Sequence, residues 1–281
     1  MCLHAGDEEL LMEIIPIKTR IISENDDILE VLIDALKSQN IELKDNDILC
    51  IAETPLGTTE GRVVKLGEID PSEEAIELAD ECSLLPEVAE LVLREADEIL
   101  GGIPYVVLTI KNNTLMANAG VDKSNVPPGH ASLLPADPRG SAERIRREAN
   151  DRYRRNIGVL ITDSRTQPLR LGNIGMALGV AGFRPVADDR GRSDLFGNEM
   201  RITRRAIADN LASACTAVMG ESDESIPAVL IRAAPVEFID ESFDSSDMWI
   251  SPEECMYMAI FERWRQGGSA TNRNARMIFK E

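Results

Sequence analysis

Five short apolar runs, spread between Glu13 and Ala233, do most to limit what this chain can become. They are EIIPI at Glu13–Ile17, DILCIA at Asp47–Ala52, YVVLTI at Tyr105–Ile110, GVLITDS at Gly158–Ser164 and PAVLIRA at Pro227–Ala233. Each has strand length, and turn-forming residues separate them from longer amphipathic stretches. A weaker strand candidate lies at Thr114–Ala117. Helical spacing predicts a helix over ILEVLIDALKSQ, behind Asp26 and Asp27, where an aspartate caps. Further helices are predicted over Pro71–Cys82, over Pro86–Leu100 with a stop at Gly101-Gly102, over Ser141–Asn156, and over Ile202–Gly220. TPLGTTEGR reads as turns. LGNIGMALGVAGF, small and apolar, favours close packing of a helix or of backbone. Strands and helices do not keep a strict βαβ rhythm, so the expected class is α+β, with mixed or antiparallel sheets and packed helices, not a Rossmann fold. Neither GxxxxGK[ST] nor GxGxxG with a following ribose-binding acid occurs.

Charge narrows the partners. A formal net charge of −19 sets a repulsive field against a phosphate backbone, which excludes nucleic acid. The same acidity fits either a solvated surface or carboxylates gathered around metal ions, and composition alone does not choose between them. Cys2, Cys50, Cys82, Cys215 and Cys255 are scattered without a CxxC pair, as expected of free thiols in a reducing cytoplasm. No apolar run approaches the roughly 18 residues of a membrane span. The N-terminal MCLHAGDEELL lacks a signal-peptide pattern, so a cytoplasmic location is expected.

Three acids stand out by context. Asp122 lies in the Gly/Asn-rich NAGVDKSNV, Asp163 ends an apolar strand and is followed by the Ser164 hydroxyl, and Glu221 follows the helix-terminating Gly220. Oxygen donors at strand ends and in tight loops suit Mg²⁺ or Mn²⁺, and two such ions would clamp a transferring phosphoryl group. Turn-capping is the competing reading of the same acids, and spacing alone leaves it open. Arg20 follows the first strand, and Arg170 lies in DSRTQPLRLG, where its planar fork would suit phosphate or carboxylate oxygens. No histidine pair has zinc spacing, and the GxSxG elbow of a serine hydrolase is missing.

Taken together, DILCIAETPLGTTEGR, PEVAELVLREADEIL, NAGVDKSNV, AERIRRE, GVLITDS, DLFG, MGE and IPAV resemble the coenzyme F420-0:γ-glutamyl ligase family. The resemblance runs from the first strand to PAVLIRA and implies a catalytic region over 13–240. An acidic segment and an amphipathic helix would follow over 241–281, with Trp264 packing that helix and the last dozen residues frayed. It also implies a GTP- and divalent-metal-dependent ligase adding L-glutamate to F420-0 through an acyl phosphate. The implied assembly is a homodimer, and the implied metals are two Mg²⁺ or Mn²⁺ ions with K⁺ as a further cation. By that resemblance Asp122, Asp163, Ser164 and Glu221 match metal ligands, and Asn125 matches a nucleotide contact. Thr19, Arg20, Ile21 and Ile22 match one nucleotide-contacting stretch. Met219, Gly220, Glu221, Ser222, Asp223, Glu224, Ser225 and Ile226 match another. Arg170, with Asp122 and Asp163, is expected at the reacting phosphate.

Departures from the family pattern fall close to the nucleotide. Glu53, Thr54 and Thr58 stand where members commonly carry a Ser-Thr pair and a lysine, SDES replaces a glycine-rich run, and Arg170 is followed by Leu171 in place of a second arginine. Losing cations and gaining acids around a triphosphate weakens its binding unless metal compensates. Two other readings therefore stay open: a paralogue acting on a different carboxylate acceptor, and a non-catalytic binder of F420 or nucleotide.

Overall fold

The computed structural model describes residues 11–241 and 245–258. The chain opens with β1 (Glu13–Ile17), α1 (Ile28–Ser38), β2 (Ile48–Ala52) and α2 (Glu53–Thr59). It continues through β3 (Val63–Lys65), α3 (Glu73–Cys82), α4 (Pro86–Glu95), β4 (Glu98–Ile103), β5 (Val106–Lys111), β6 (Thr114–Ala117) and β7 (His130–Ser132). Then come α5 (Pro138–Tyr153), β8 (Gly158–Thr166), β9 (Asn173–Ala181), β10 (Val186–Asp188), β11 (Arg204–Ala206), α6 (Ile207–Met219) and β12 (Ala228–Arg232). Two compact units result. The larger runs up to Arg62 and resumes at Leu134, and the smaller contains Val63–Leu133 and residues 245–258. No helix among the described residues is long and apolar enough to cross a membrane.

In the larger unit the strands order as β1-β12-β2-β8-β9. The β2–β8 pair is parallel, and β1–β12, β12–β2 and β8–β9 are antiparallel. This mixed sheet with packed helices agrees with the α+β expectation. β2 is apolar along its whole length because it is covered on both faces. Its alternate residues Leu49 and Ile51 join the α1 and α5 residues Leu29, Leu32, Leu36 and Ile145 in one core. On the other side Cys50 meets Cys215 of α6, and burial pushes the Cys50 thiol well above its ordinary range, so it serves as inert packing. Each fully buried Leu or Ile contributes about 1.5–3 kcal/mol. Asp27 caps α1 by accepting from Glu30 N, as the sequence predicts.

LGNIGMALGVAGF forms strand β9, and its glycines let helices approach. A Cβ on Gly175 would overlap the Ala212 carbonyl of α6, and one on Gly179 the Pro138 carbonyl of α5. The small residues thus mark backbone contact.

The smaller unit pairs β4-β5-β6 as an antiparallel meander, and β3 with β7. α3 and α4 help close its core around Val88, Leu91, Val92 and Val107. Glu90 accepts from Ser72 N and Ser72 Oγ and pairs with Arg94 Nε, which fixes the start of α3 onto α4.

Several expectations change. TPLGTTEGR is largely helical, as part of α2, and the Thr58 and Thr59 hydroxyls return to the Thr54 and Leu56 carbonyls within it. The helix predicted over Pro86–Leu100 ends at Glu95, since EILGGI pairs with β5 as strand β4. The YVVLTI strand begins only at Val106, Tyr105 having φ +74°. α5 starts at Pro138 with Asp137 as its cap, not at Ser141. Residues 204–206 are strand, so α6 begins at Ile207. β8 runs past Asp163 to Thr166 because β9 pairs with it along its length. Of the predicted helix ECMYMAIFERWRQ, residues 256–258 are helical, while its remainder, Trp264 and the chain end lie outside the described residues.

Candidate functional site

Strand register brings four of the predicted segments to one edge of the larger sheet. Ile17 of β1 pairs with Ala228 of β12, Ala228 pairs with Ile51 of β2, and Ala52 pairs with Thr162 of β8. The residues that continue these strands therefore emerge together: Thr19–Ile22 after β1, Glu53 and Thr54 after β2, Asp163 and Ser164 on β8, and 219–226 leading into β12. Backbone bonds tie them. Thr19 N donates to Ser225 O at 3.1 Å and Ala52 N to Pro227 O at 3.0 Å.

Two of the expected metal-binding side chains meet directly. Ser164 Oγ donates to Glu221 Oε2 at 3.2 Å across 57 positions of sequence. Asp163, one position earlier on β8, is partly buried. Gly220 makes the loop possible: its φ is +76°, and a Cβ there would overlap the Glu224 carboxylate. That carboxylate folds back to accept from Ser222 N at 2.9 Å. Ser225, at φ +59°, turns the chain toward Thr19. Met219 is buried and anchors the end of α6. Two positions beyond Asp163 on β8, the buried Arg165 Nε has no hydrogen-bond partner, and an unspent N–H of this kind suits an anionic oxygen.

The remaining predicted residues are placed as follows. Arg20 gives its fork to Asp26, Nη1 to Oδ2 and Nη2 to Oδ1, both at 2.6 Å. Its side chain therefore enters the edge already engaged. The Arg20 guanidinium, with the Ser23 amide, holds the Asp26 carboxyl at about 2. Ile21 is exposed, while Ile22 packs against the core. Glu53 opens α2 and accepts from Thr54 Oγ1 at 2.5 Å, and the Thr58 hydroxyl is spent on the Thr54 carbonyl. Arg170 lies in the exposed turn between β8 and β9, where its amide closes onto Gln167 O. Asp122 belongs to the smaller unit. There its backbone pairs with Ser132, and its carboxylate accepts from the Lys123 and Ser124 amides and from Ser124 Oγ. Asn125 follows in the same exposed loop with φ +53°.

Among the described residues no three His, Cys, Asp or Glu side chains form a group that could hold a metal ion. The oxygen set that fits a hard cation in the larger unit is thus mixed, the Ser164 hydroxyl with the Glu221 carboxylate, and Asp163 next to them in sequence. Sequence reasoning overlooked a second polar region, the run from Arg184 to Arg205. The available signal was six arginines in a short stretch of a strongly acidic chain.

A model of the F420-0:Gamma-glutamyl ligase family matches residues 16–233. The Coenzyme F420:L-glutamate ligase of Methanothermobacter thermautotrophicus is 42% identical over 216 residues, covering 76% of this chain and 86% of that protein. The protein of the same name from Methanocaldococcus jannaschii is 44% identical over 197 residues, covering 70% and 79%. That of Natronomonas pharaonis is 34% identical over 239 residues, covering 83% and 88%.

Proposed function

The chain belongs to the F420-0:gamma-glutamyl ligase family, and from that premise we propose that it joins L-glutamate to F420-0 with GTP and a divalent cation. The observation that carries the reading is the Ser164–Glu221 contact at the edge where Thr19–Ile22, Glu53–Thr54 and 219–226 also emerge.

The chemistry divides into two displacements. A carboxylate oxygen of the acceptor attacks the γ-phosphorus of GTP, the bond to the β-phosphate oxygen breaks, and GDP leaves an acyl phosphate. The glutamate amine then attacks the acyl carbon, inorganic phosphate departs, and the surplus proton on nitrogen passes to solvent. Both steps ask the protein chiefly for positioning and charge neutralisation. Ser164, Glu221 and Asp163 would hold Mg²⁺ or Mn²⁺, and the cation would neutralise phosphate oxygens. Without it, Glu53, Asp163, Glu221, Asp223 and Glu224 at one edge would repel a triphosphate. The loop turned by Gly220 and Ser225, tied to Thr19, gives the nucleotide a fixed backbone wall.

A different acceptor is the second reading. The observation favouring it is that the hydroxyls of Thr54 and Thr58 are spent within α2, so these departures offer a nucleotide no lysine-like contact. The test is one assay. Purified chain with GTP, Mg²⁺ or Mn²⁺, L-glutamate and F420-0 is expected to yield a glutamylated product by mass spectrometry, lost when EDTA is added. Product formed equally in EDTA removes the metal role. Nucleotide turnover with another carboxylate and none with F420-0 replaces the acceptor.

A further inference from the structure

Within the larger unit a cleft of about 480 Å³ is lined by Arg184, Asp188, Asp189, Arg192, Arg205 and Glu237, with β10, the first turn of α6 and residues 235–236 as its apolar part. None of these residues belongs to the edge described above. β9 pairs with Asp163 at Met176 and ends at Ala181, opposite Val159, so the cleft that follows Ala181 lies toward the other end of the sheet. α6 runs from the cleft at Ile207 to Met219 beside Glu221. Its 13 residues span about 20 Å at the usual helical rise. A ligand here is too far away to take part in chemistry at Ser164 and Glu221.

The cleft gathers arginine in a chain that is strongly acidic. Between residues 184 and 205 there are six arginines against four carboxylates, within a protein of net charge −19. Asp189, buried to 8% side-chain exposure, pins two guanidinium groups: Arg192 Nη1 at 2.5 Å and Arg205 Nε at 2.6 Å. One carboxylate accepts far fewer bonds than two guanidinium groups can donate, and both arginines are more than half exposed. Arg190 and Arg204 share Asp188, and Arg184 pairs with Glu237. Three arginines and three carboxylates line the cleft, and Arg190 and Arg204, just outside the lining, add two further cations on Asp188. A volume of this size suits a small molecule.

We propose that this cleft is a second ligand site, specific for a small anion bearing carboxylate or phosphate groups, with Arg192 and Arg205 as the groups that hold it. Asp189 fixes the two forks in advance, so the ordering of two long side chains is already met before the ligand arrives.

The test is calorimetric titration of the full chain, without nucleotide, metal or acceptor, using inorganic phosphate in one arm and glutarate in the other. Saturable binding is expected in at least one arm. Phosphate alone would make this a phosphoryl site and glutarate alone a carboxylate site, while both would fit a general anion site. Arg192→Ala is expected to weaken binding at least roughly tenfold, the loss of one charge-assisted contact. Because Arg192 is largely exposed, that variant should keep its fold. Arg205→Lys keeps the charge but removes the fork, and is expected to weaken binding less than Arg192→Ala. No saturable heat with either anion, or an unchanged affinity in Arg192→Ala, overturns the proposal. Neither result bears on the ligase reading, which the ligation assay decides.

Discussion

The two ends of the larger unit's sheet are built on opposite electrostatic plans. At the end where β2 begins and β12 finishes, Asp47 is 1% exposed and meets Arg232 in a bidentate pair, with Nε and Nη2 at 2.9 and 2.8 Å from its two oxygens. Lys44 N donates to the same carboxylate, and Arg232 Nη2 also reaches the Glu42 carbonyl. Farther along that end, the arginines of the cleft hold their own carboxylates. At the opposite end the acids meet hydroxyls and backbone amides: Glu221 with Ser164 Oγ, Glu53 with Thr54 Oγ1, Glu224 with Ser222 N. At the first end the Asp47–Arg232 pair is complete in itself and serves the fold. The second presents anionic oxygens with dipoles as partners, which leaves room for a cation to improve on them.

The largest expected effect breaks the first end. Arg232→Met would strand the Asp47 carboxylate in the interior, a loss of about 3–5 kcal/mol when one partner of a buried pair is removed. A fall in the urea midpoint equivalent to less than about 1 kcal/mol would mean that the pair is not holding the strands together. Adding Asp47→Asn to that variant is expected to recover part of the loss, since the uncompensated charge disappears.

The next variant breaks the second end. Asp163→Asn is expected to lower metal-dependent ligation about 10²- to 10³-fold, the scale seen when one group stabilising transferred charge is deleted, while the urea midpoint stays near wild type. Full activity in that variant removes Asp163 from the metal set.

How far the sequence foretold this contrast depends on the physical signal at each place. The strands of the central sheet were legible because both faces are covered, so the apolar runs DILCIA, GVLITDS and PAVLIRA are nearly unbroken. β4 was not, because EILGGI carries two glycines that read as a helix stop, and its pairing with β5 is a long-range choice that local propensity does not contain. The glycines of β9 correctly signalled close packing, but the element touching them could be named only once α5 and α6 were in place. Ser164 and Glu221 were each legible as motif residues. Their meeting was not, since it depends on β8 lying two strands away from β12 in the sheet. The Asp47–Arg232 pair and the arginine cleft left only weak traces, a residue before a strand and a local density of arginine.

Ser164→Ala sharpens the comparison with a smaller effect. Removing one hydroxyl that donates to Glu221 takes away a contact of about 1 kcal/mol, so the metal concentration giving half-maximal ligation is expected to rise roughly fivefold, with the rate at saturating metal little changed. Ser164→Thr should restore it, because the hydroxyl returns. An unchanged metal requirement would reduce the Ser164–Glu221 bond to a turn contact, and the second end would then resemble the first.

The smallest effect concerns Arg20, a cation at the acidic end that is already committed. Its bond to Asp26, with the Ser23 amide, holds the Asp26 carboxyl at about 2, below its ordinary value of 3.8. A carboxyl depressed on folding stabilises the folded state above its ordinary value, and that contribution is lost as pH falls from there through about 2. The Arg20–Asp26 tie is thus intact throughout the pH range in which a ligase is assayed, and the acidic limb of a pH–rate profile must come from other groups. Carboxyl carbon shifts followed by NMR on acidification are expected to place the Asp26 midpoint near 2. A midpoint near 4 would mean that the Arg20 fork is not spent on Asp26 and is available to a phosphate, which would give the acidic end a cation of its own and weaken its need for metal.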